Sequence, residues 1–116
     1  MAYAHARLTE ITTIANSAGA LYTKAAGTSV YVRLIVLHNG NTAPEAVKLY
    51  VVPDSGGSAG TAATTNEIYA ETIEAGGTRV LEFPAQGIIL KDNGETIQGV
   101  TTTASKVTFQ AFGGSE

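Results

Sequence analysis

The stretch TSVYVRLIVLHN, residues 28–39, is the longest run of strand-forming residues in the chain and decides its fold class. Valine, isoleucine, leucine and tyrosine dominate it, and successive side chains of a strand point to opposite faces. The two faces predicted by this alternation carry Val30, Val32, Leu34 and Val36 on one side, and Tyr31, Arg33, Ile35 and Leu37 on the other. Both faces are largely apolar. The run is therefore predicted to be a central strand, covered on both sides at least along its second half.

Turn signals and short strand-like runs continue on either side of this stretch. The pair Asn39-Gly40 is a strong hairpin signal, because both residue types accept positive φ. Residues 46–53 follow as a strand that Pro53 ends, since proline has no N–H to donate to a sheet. Residues 67–75 fit a strand or a short helix. A strand is favoured because residues 75–77, Ala-Gly-Gly, then form a tight turn into the next strand.

The remaining strand-like runs complete an all-β pattern. They are residues 19–25, 78–84, 87–91, 95–100 and 106–113. About eight strands with turn signals every 8–12 residues predict a single β-sandwich, jelly-roll-like or immunoglobulin-like. Residues 19–116 would form this sandwich domain.

The first 18 residues are predicted to be an extended N-terminal arm or a strand. Residues 11–14, Ile-Thr-Thr-Ile, disfavour a helix because β-branched side chains lose rotamer freedom in one. We therefore expect an arm, residues 1–18, ahead of the sandwich domain.

Composition excludes several classes of protein. The 116 residues suffice for one domain, and only 15% are charged, against about 25% in a typical domain. The net charge of −3 and the scattered lysines and arginines argue against nucleic-acid binding. The longest apolar runs fall far short of the roughly 20 residues of a membrane-spanning helix. There are no cysteines, so disulfides and thiolate metal sites are excluded.

Residues capable of chemistry are few and dispersed. His38 ends the central strand without a second metal ligand at a suitable spacing, and we expect it to hydrogen-bond turn backbone. Glu67, Glu71 and Glu74 are interpreted as a solvated edge. The polar loop of residues 54–66 is expected to be a flexible surface loop, although loops of this length are often functional. The sequence thus predicts no enzyme, no cofactor and no metal site.

The C-terminal third, FPAQGIILKDNGETIQGVTTTASKVTFQAFG (residues 83–113), resembles the small all-β virion proteins of tailed bacteriophages. A Gly-Ile-x-Leu step leads to a Gly-x-Thr-Ile strand, then a Thr/Ser/Ala-rich turn and a Val-x-Phe strand with a Phe-Gly finish. The matching residues are Gly87, Ile88, Leu90, Gly94, Thr96, Ile97, Val107, Phe109, Phe112 and Gly113. Residues 21–52 are similar to the opening hairpin of these proteins, so the resemblance spans roughly residues 20–113.

This resemblance implies a non-enzymatic structural protein, made in the cytoplasm of the host bacterium and located on the capsid surface of the virion. Its implied role is that of a capsid decoration (cement) protein that stabilises the head shell. The implied partners are the major capsid protein and further copies of the chain, as a homotrimer. A neck, tail or fibre accessory protein, contacting neck or tail proteins, is the alternative. A small ligand- or glycan-binding β-sandwich module is more remote.

Protein contacts are expected from two segments, the N-terminal arm and the polar loop. The candidate interaction residues are Tyr3, His5, Arg7 and Leu8 in the arm, and Asp54, Ser55 and Asn66 in the loop. An arm that orders only on assembly would couple folding to binding.

Overall fold

A computed structural model describes residues 4–24, 27, 29–85 and 87–115, with the backbone alone for residues 4–6. Within these residues the chain forms ten β-strands and a short 3-10 turn at Thr64–Asn66. The strands are β1 (Ala4–Arg7), β2 (Thr12–Thr13), β3 (Gly19–Thr23), β4 (Val30–Asn39), β5 (Glu45–Val52), β6 (Glu67–Ile73), β7 (Thr78–Glu82), β8 (Ile88–Leu90), β9 (Thr96–Thr101) and β10 (Val107–Ser115). The protein is all-β, as predicted, and β6 is the strand that was favoured over a helix.

The strands build two antiparallel sheets whose pairing is nested along the sequence. β5 pairs with β6, β4 with β7 and β8, β3 with β9, and β1 and β2 with β10. The first sheet has the order β1/β2, β10, β4, β7/β8, and the second has the order β3, β9, β5, β6. β1 and β2 share one edge of the first sheet and β7 and β8 share the other, so the ten strands occupy eight positions. Of the two sandwich types predicted, this order is that of the jelly roll.

The central strand β4 is interrupted by a β-bulge at Arg33. Phe112 pairs with Leu34 but Gly113 pairs with Val32, so Arg33 has no partner on β10. One extra residue reverses the alternation of faces beyond it. The strand is central, as predicted, but the predicted faces are wrong after the bulge. Ile35 and Leu37 point inward, on the face that Val30 and Val32 occupy before the bulge.

The core lies between the two sheets and is continuous along the sandwich. Phe109 on β10 and Leu49 on β5 are fully buried in it, one from each sheet. The buried cluster consists of Ile14, Val30, Val32, Ile35, Leu37, Val47, Leu49, Ile73, Leu90, Ile97, Val107, Phe109 and Ala111. Residues from β4, β5 and β10 dominate it, so long strands of both sheets hold the sandwich together.

The first 18 residues do not form a separate arm in the part that the structure describes. β1 and β2 pair with β10 and form one edge of the first sheet. Ile14 is fully buried in the core, and its backbone N–H donates to the Val107 carbonyl oxygen at 2.9 Å. The strand alternative was correct for these residues, because a segment with an apolar residue at the right register can close an open sheet edge. Residues 1–3 lie outside the described part.

Shortening Ile14 should therefore destabilise the whole domain. We expect Ile14→Val to lower the free energy of unfolding by about 1 kcal/mol, since it removes one buried methylene and leaves a small cavity. Urea unfolding followed by far-UV circular dichroism measures this. Ile11→Val is the matched control, because Ile11 lies three residues earlier and is 60% exposed. Equal, negligible effects of both substitutions would mean that this segment folds apart from the sandwich.

The described segments include no helix with the length and apolar character that crossing a lipid bilayer requires.

Candidate functional site

The outward-pointing side of the first sheet, called here the outer face, carries two of the four exposed large apolar side chains among the described residues, Val80 and Ile89, together with the exposed Arg33 of β4. Cross-strand pairing arranges its side chains in rows that run from β10 through β4 to β7 or β8. The rows are Thr108, His38 and Thr78, then Gln110, Val36 and Val80, then Phe112, Leu34 and Glu82, then Gly114, Tyr31 and Ile89. Tyr31, Leu34, Val36 and Phe112 are half-buried. The predicted cover of this face of β4 is only partial, because its apolar side chains are half-buried rather than buried.

Exposure of large apolar side chains concentrates at the outer face and its edges. Val80 is 55% exposed and Ile89 46% exposed, both on strands that border β4. Ile11, at the β1/β2 edge, is 60% exposed. Among the described residues the fourth exposed large hydrophobic side chain is Ile68, 42% exposed, on the edge strand of the second sheet. Exposed apolar side chains grouped on one face of a sheet are typical of a protein-contact surface.

Opposite charges border the outer face at its two edges. Arg7 on β1 pairs with Phe112, and Glu82 on β7 pairs with Leu34, so both lie in one row that crosses the sheet. Arg7 also contacts Glu10, with 3.5 Å between Nη1 and Oε1, and its side chain is 48% exposed. An exposed ion pair of this kind contributes little to stability. Arg7 is therefore available to a second partner.

One end of the corresponding surface of the second sheet is covered by residues 54–66. Tyr50 and Val52 point outward from β5 but are 8% and 1% exposed, because this segment lies over them. The Gln98 side chain donates from Nε2 to the Gly60 carbonyl oxygen at 2.9 Å and is itself buried. A Cβ at Gly60 would overlap the Pro53 carbonyl oxygen, so glycine allows the close approach. The segment is a cover held to the sheet rather than the expected flexible loop.

The predicted interaction residues do not form one site. Tyr3 lies outside the described residues, and His5 is described by its backbone alone, which pairs with Gly114. Arg7 borders the outer face, and Leu8 is half-buried with its side chain packed against the core.

The three predicted residues of the loop belong to the cover on the second sheet. Asp54 accepts a hydrogen bond from the Gly57 backbone N–H at 3.0 Å, which closes a turn. Ser55 forms a backbone bridge with Ser58, and Asn66 ends the 3-10 turn. These residues stabilise the cover on the second sheet, whereas the arm residues of β1 lie at the edge of the first sheet.

Sequence interpretation missed the residues that define the outer face. Val80, Glu82 and Ile89 were placed in strands, but the face of the sheet on which their side chains lie was not predicted. A signal was present, because the consecutive apolar residues Val80-Leu81 and Ile88-Ile89-Leu90 must place apolar side chains on both faces of their strands.

A buried polar network closes the end of the sandwich where β4 turns into β5. The Asn39 side chain donates from Nδ2 to the carbonyl oxygens of Ala43 and Ile73, each at 3.0 Å, and is fully buried. Its Oδ1 accepts from the Asn41 backbone N–H at 2.9 Å. Asn41 in turn donates to Glu45 Oε2 at 2.9 Å. These bonds connect the turn after β4 with the turn after β6.

Glu45 extends this network to the turn between β9 and β10. Its Oε1 accepts from the Thr103 backbone N–H at 2.8 Å, and the residue is 2% exposed. Burial by itself would raise the pKa of the Glu45 carboxyl. Hydrogen bonds from Asn41 and Thr103, with the positive charge of Lys106, outweigh burial and lower the pKa below its ordinary value of 4.5.

The lowered pKa of Glu45 makes the stability of the domain dependent on acid pH. The unfolded chain binds the proton more readily, so the free energy of unfolding should fall as the pH drops from 4.5 through the folded pKa. Above 4.5 the contribution is fully present. We expect Glu45→Gln to show a shallower decrease over this acid range. The measurement is urea unfolding at several pH values. A variant whose pH profile matches that of the original chain would contradict the role of Glu45.

The same pH series needs a correction for a surface ion pair. Arg79 donates to Glu74 from both terminal nitrogens, at 3.0 and 2.6 Å, and holds the pKa of that carboxyl at about 2. Because the pair is exposed, salt of about 0.5 M screens its contribution. Glu45 is buried, and its contribution should persist in that salt.

Side chains that could catalyse a reaction or bind metal are dispersed in the structure. His38 is exposed, and its Nδ1 lies 2.9 Å from Thr78 Oγ1 on the neighbouring strand, a partner different from the expected turn backbone. Within the described residues no three His, Asp or Glu side chains are close enough together to hold a metal ion. A shallow depression of about 220 Å³ lies between β5 and β6 on the second sheet, with Ala46, Lys48 and Ala70 in its lining. It is smaller than typical ligand pockets of about 300–1,000 Å³.

Comparison with protein-family models, with curated proteins and with solved structures found no match to this chain.

Proposed function

We propose that this chain is a non-enzymatic structural protein of a tailed-bacteriophage virion, and specifically a capsid decoration protein. It would be made in the cytoplasm of the host bacterium and would bind the major capsid protein on the outside of the head shell. The jelly-roll fold by itself does not select this function, because the same fold occurs in capsid proteins, lectins and cupins.

The observation that carries the proposal is the outer face of the first sheet. Val80 and Ile89 expose roughly half of their surface there. Arg7 and Glu82 border the face and Arg33 is exposed on β4 within it, in a chain of which only 15% of residues are charged. A surface of this kind supports protein contact. The resemblance of residues 20–113 to small all-β virion proteins supplies the type of assembly.

The covered second sheet is consistent with a rigid building block. Residues 54–66 bury Tyr50 and Val52 instead of presenting an open binding loop. This segment also contains no aromatic residue that could stack on a sugar ring. Many copies of a rigid domain on a symmetric shell can add weak individual contacts into stable attachment.

Antibody labelling of particles tests the proposal. Particles would be purified from bacteria that produce this chain, labelled with a gold-conjugated antibody against it, and counted by electron microscopy. Label spread over the whole head is the expected result. Label confined to a single vertex, the neck or the tail would overturn the decoration role in favour of a neck, tail or fibre protein. Particles without label would overturn both virion roles.

A further inference from the structure

We infer that the protein surface which covers the outer face carries a carboxylate group that pairs with Arg33 inside an otherwise apolar contact. The inference rests on the proposed function, in which a capsid protein covers this face, and it adds the chemistry that the covering surface must have. That surface presents one acidic side chain surrounded by apolar ones. Arg33 is then the residue that anchors the contact.

The bulge of β4 directs Arg33 out of the sandwich. Val32 and Ile35 are both fully buried. The two residues between them therefore lie toward the outer face, Leu34 half-buried and Arg33 exposed. Arg33 has no partner on β10, and β-bulges commonly re-aim a side chain in this way. The extra residue that inverts the faces of β4 thus adds a guanidinium group to the middle of the outer face.

Apolar side chains lie on both sides of Arg33. Leu34 and Phe112 belong to the row on one side of it, and Tyr31 and Ile89 belong to the row on the other. A partner that covers these side chains also removes water from the guanidinium group. Burial of a charge is unfavourable unless the charge is paired and hydrogen-bonded. A contact over this part of the face therefore requires an anionic group opposite Arg33.

The described part of the chain does not supply that anionic group. The ion pairs among the described residues are Arg7 with Glu10 and Arg79 with Glu74, and Arg33 takes part in neither. The carboxylate that pairs with Arg33 must accordingly come from the partner.

The other charged or ionisable groups of the outer face lie away from its centre. Glu82 is exposed on β7 at the border, where groups keep contact with water when the centre is covered. Arg7 borders the opposite edge and already contacts Glu10. His38 lies in the last row of the face, and its Nδ1 is 2.9 Å from Thr78 Oγ1. Arg33 is thus the cation that a partner has to accommodate.

Arginine suits this role for a geometric reason. Its planar guanidinium group can donate two parallel hydrogen bonds to one carboxylate, and it stacks on apolar and aromatic surfaces. Arginine is also enriched among the few residues near the centre of an interface that provide most of its binding energy. The position of Arg33 among half-buried apolar side chains matches that pattern.

The purified chain and a small amphiphilic anion test the inference without any particle. Hexanoate carries a carboxylate on an apolar chain, and hexylammonium carries the opposite charge on a similar chain. We expect hexanoate in the millimolar range to shift the backbone amide NMR signals of residues 31–36, and hexylammonium to shift them much less. Arg33→Gln should abolish the hexanoate shifts. Lys48→Gln is the matched control, because Lys48 is also exposed on an inner strand, but of the second sheet.

Gold labelling of particles tests the same residue in the assembly. Arg33→Glu should reduce the label on heads at least about tenfold, because it sets two carboxylates against each other inside the contact. Arg33→Lys should give an intermediate label, since lysine keeps the charge but not the paired hydrogen bonds. Lys48→Glu should label heads like the original chain. Circular dichroism should show all of these variants folded.

The outcomes separate this inference from the proposed function. Heads that bind Arg33→Glu as densely as the original chain would overturn the inference and leave the decoration role standing. Hexanoate shifts that Arg33→Gln leaves unchanged, or that hexylammonium equals, would overturn it as well. Heads that bind none of the original chain would refute the decoration role, and the titration with hexanoate would then decide the inference alone.

Discussion

Replacing Gly113 by alanine is expected to cost at least about 4 kcal/mol of unfolding free energy, which is exceptional for one added methyl group. Gly113 lies on β10 beside the bulge of β4. A Cβ at this position would overlap the carbonyl oxygen of Tyr31 and lie 3.2 Å from the Cα of Val32. Both are backbone atoms of the central strand, so no side-chain rotation can relieve the overlap. The two longest paired strands would have to separate locally.

Gly19→Ala is the matched control for this substitution. Gly19 also lies in a strand, but the nearest atom to its added Cβ is the Ser17 carbonyl oxygen at 3.9 Å, an ordinary contact. Its effect should stay within about 1 kcal/mol, partly offset by the lower entropy of the unfolded chain. Urea unfolding of both variants gives the comparison. If Gly113→Ala unfolded at the same urea concentration as Gly19→Ala, the close approach of β10 to β4 would be refuted.

Replacing Asn39 by alanine is expected to cost about 3 kcal/mol, the second largest effect. The side chain is fully buried and donates to the carbonyl oxygens of Ala43 and Ile73. Alanine leaves these acceptors, and the backbone N–H of Asn41, without their partner. An unsatisfied buried polar group costs about 1–3 kcal/mol, and the bond to Ile73 is itself buried.

Two further variants separate the hydrogen bonds of Asn39 from its volume. Asn39→Asp keeps the size but sets a carboxylate against carbonyl oxygens. It should be at least as unstable as Asn39→Ala at neutral pH, and should recover partly in acid, where the carboxyl becomes a donor. Asn16→Ala removes an exposed amide and should change the unfolding free energy by less than about 0.5 kcal/mol. A loss below about 1 kcal/mol for Asn39→Ala would mean that the turn does not need this network.

Local patterns were sufficient where a strand and its turn depend on neighbouring residues. The strand ended by Pro53 was predicted correctly, because proline restricts hydrogen bonding at that position. The hairpin predicted at Asn39-Gly40 was wrong, because β4 and β5 lie in different sheets and neither residue has a positive φ. The strand assignment of β6 rested on the Ala-Gly-Gly turn at residues 75–77, where Gly77 donates to the Glu74 carbonyl oxygen at 2.9 Å.

Local patterns failed where a residue's environment depends on distant strands. The bulge at Arg33 arises from pairing with Gly113, 80 positions later, and it inverts the faces of β4. The cover of residues 54–66 depends on Gln98, 38 positions from Gly60. Nothing in the polar, glycine-rich sequence of the cover distinguishes it from a free loop. The candidate site could not be predicted for the same reason, because the outer face consists of side chains from β4, β7, β8 and β10, which are distant in the sequence.

The sequence by itself determined an all-β single domain, since residue type and alternation set local backbone preferences and the apolar content suffices for one core. It also restricted the options for chemistry, because it offers no cysteine and only two histidines. Only the tertiary structure decided between a jelly roll and an immunoglobulin-like order, and it alone showed which apolar face stays exposed. The physical reason is that strand order and burial result from pairing between residues far apart in the chain. The alternation of side chains within a strand does not specify which other strand pairs with it.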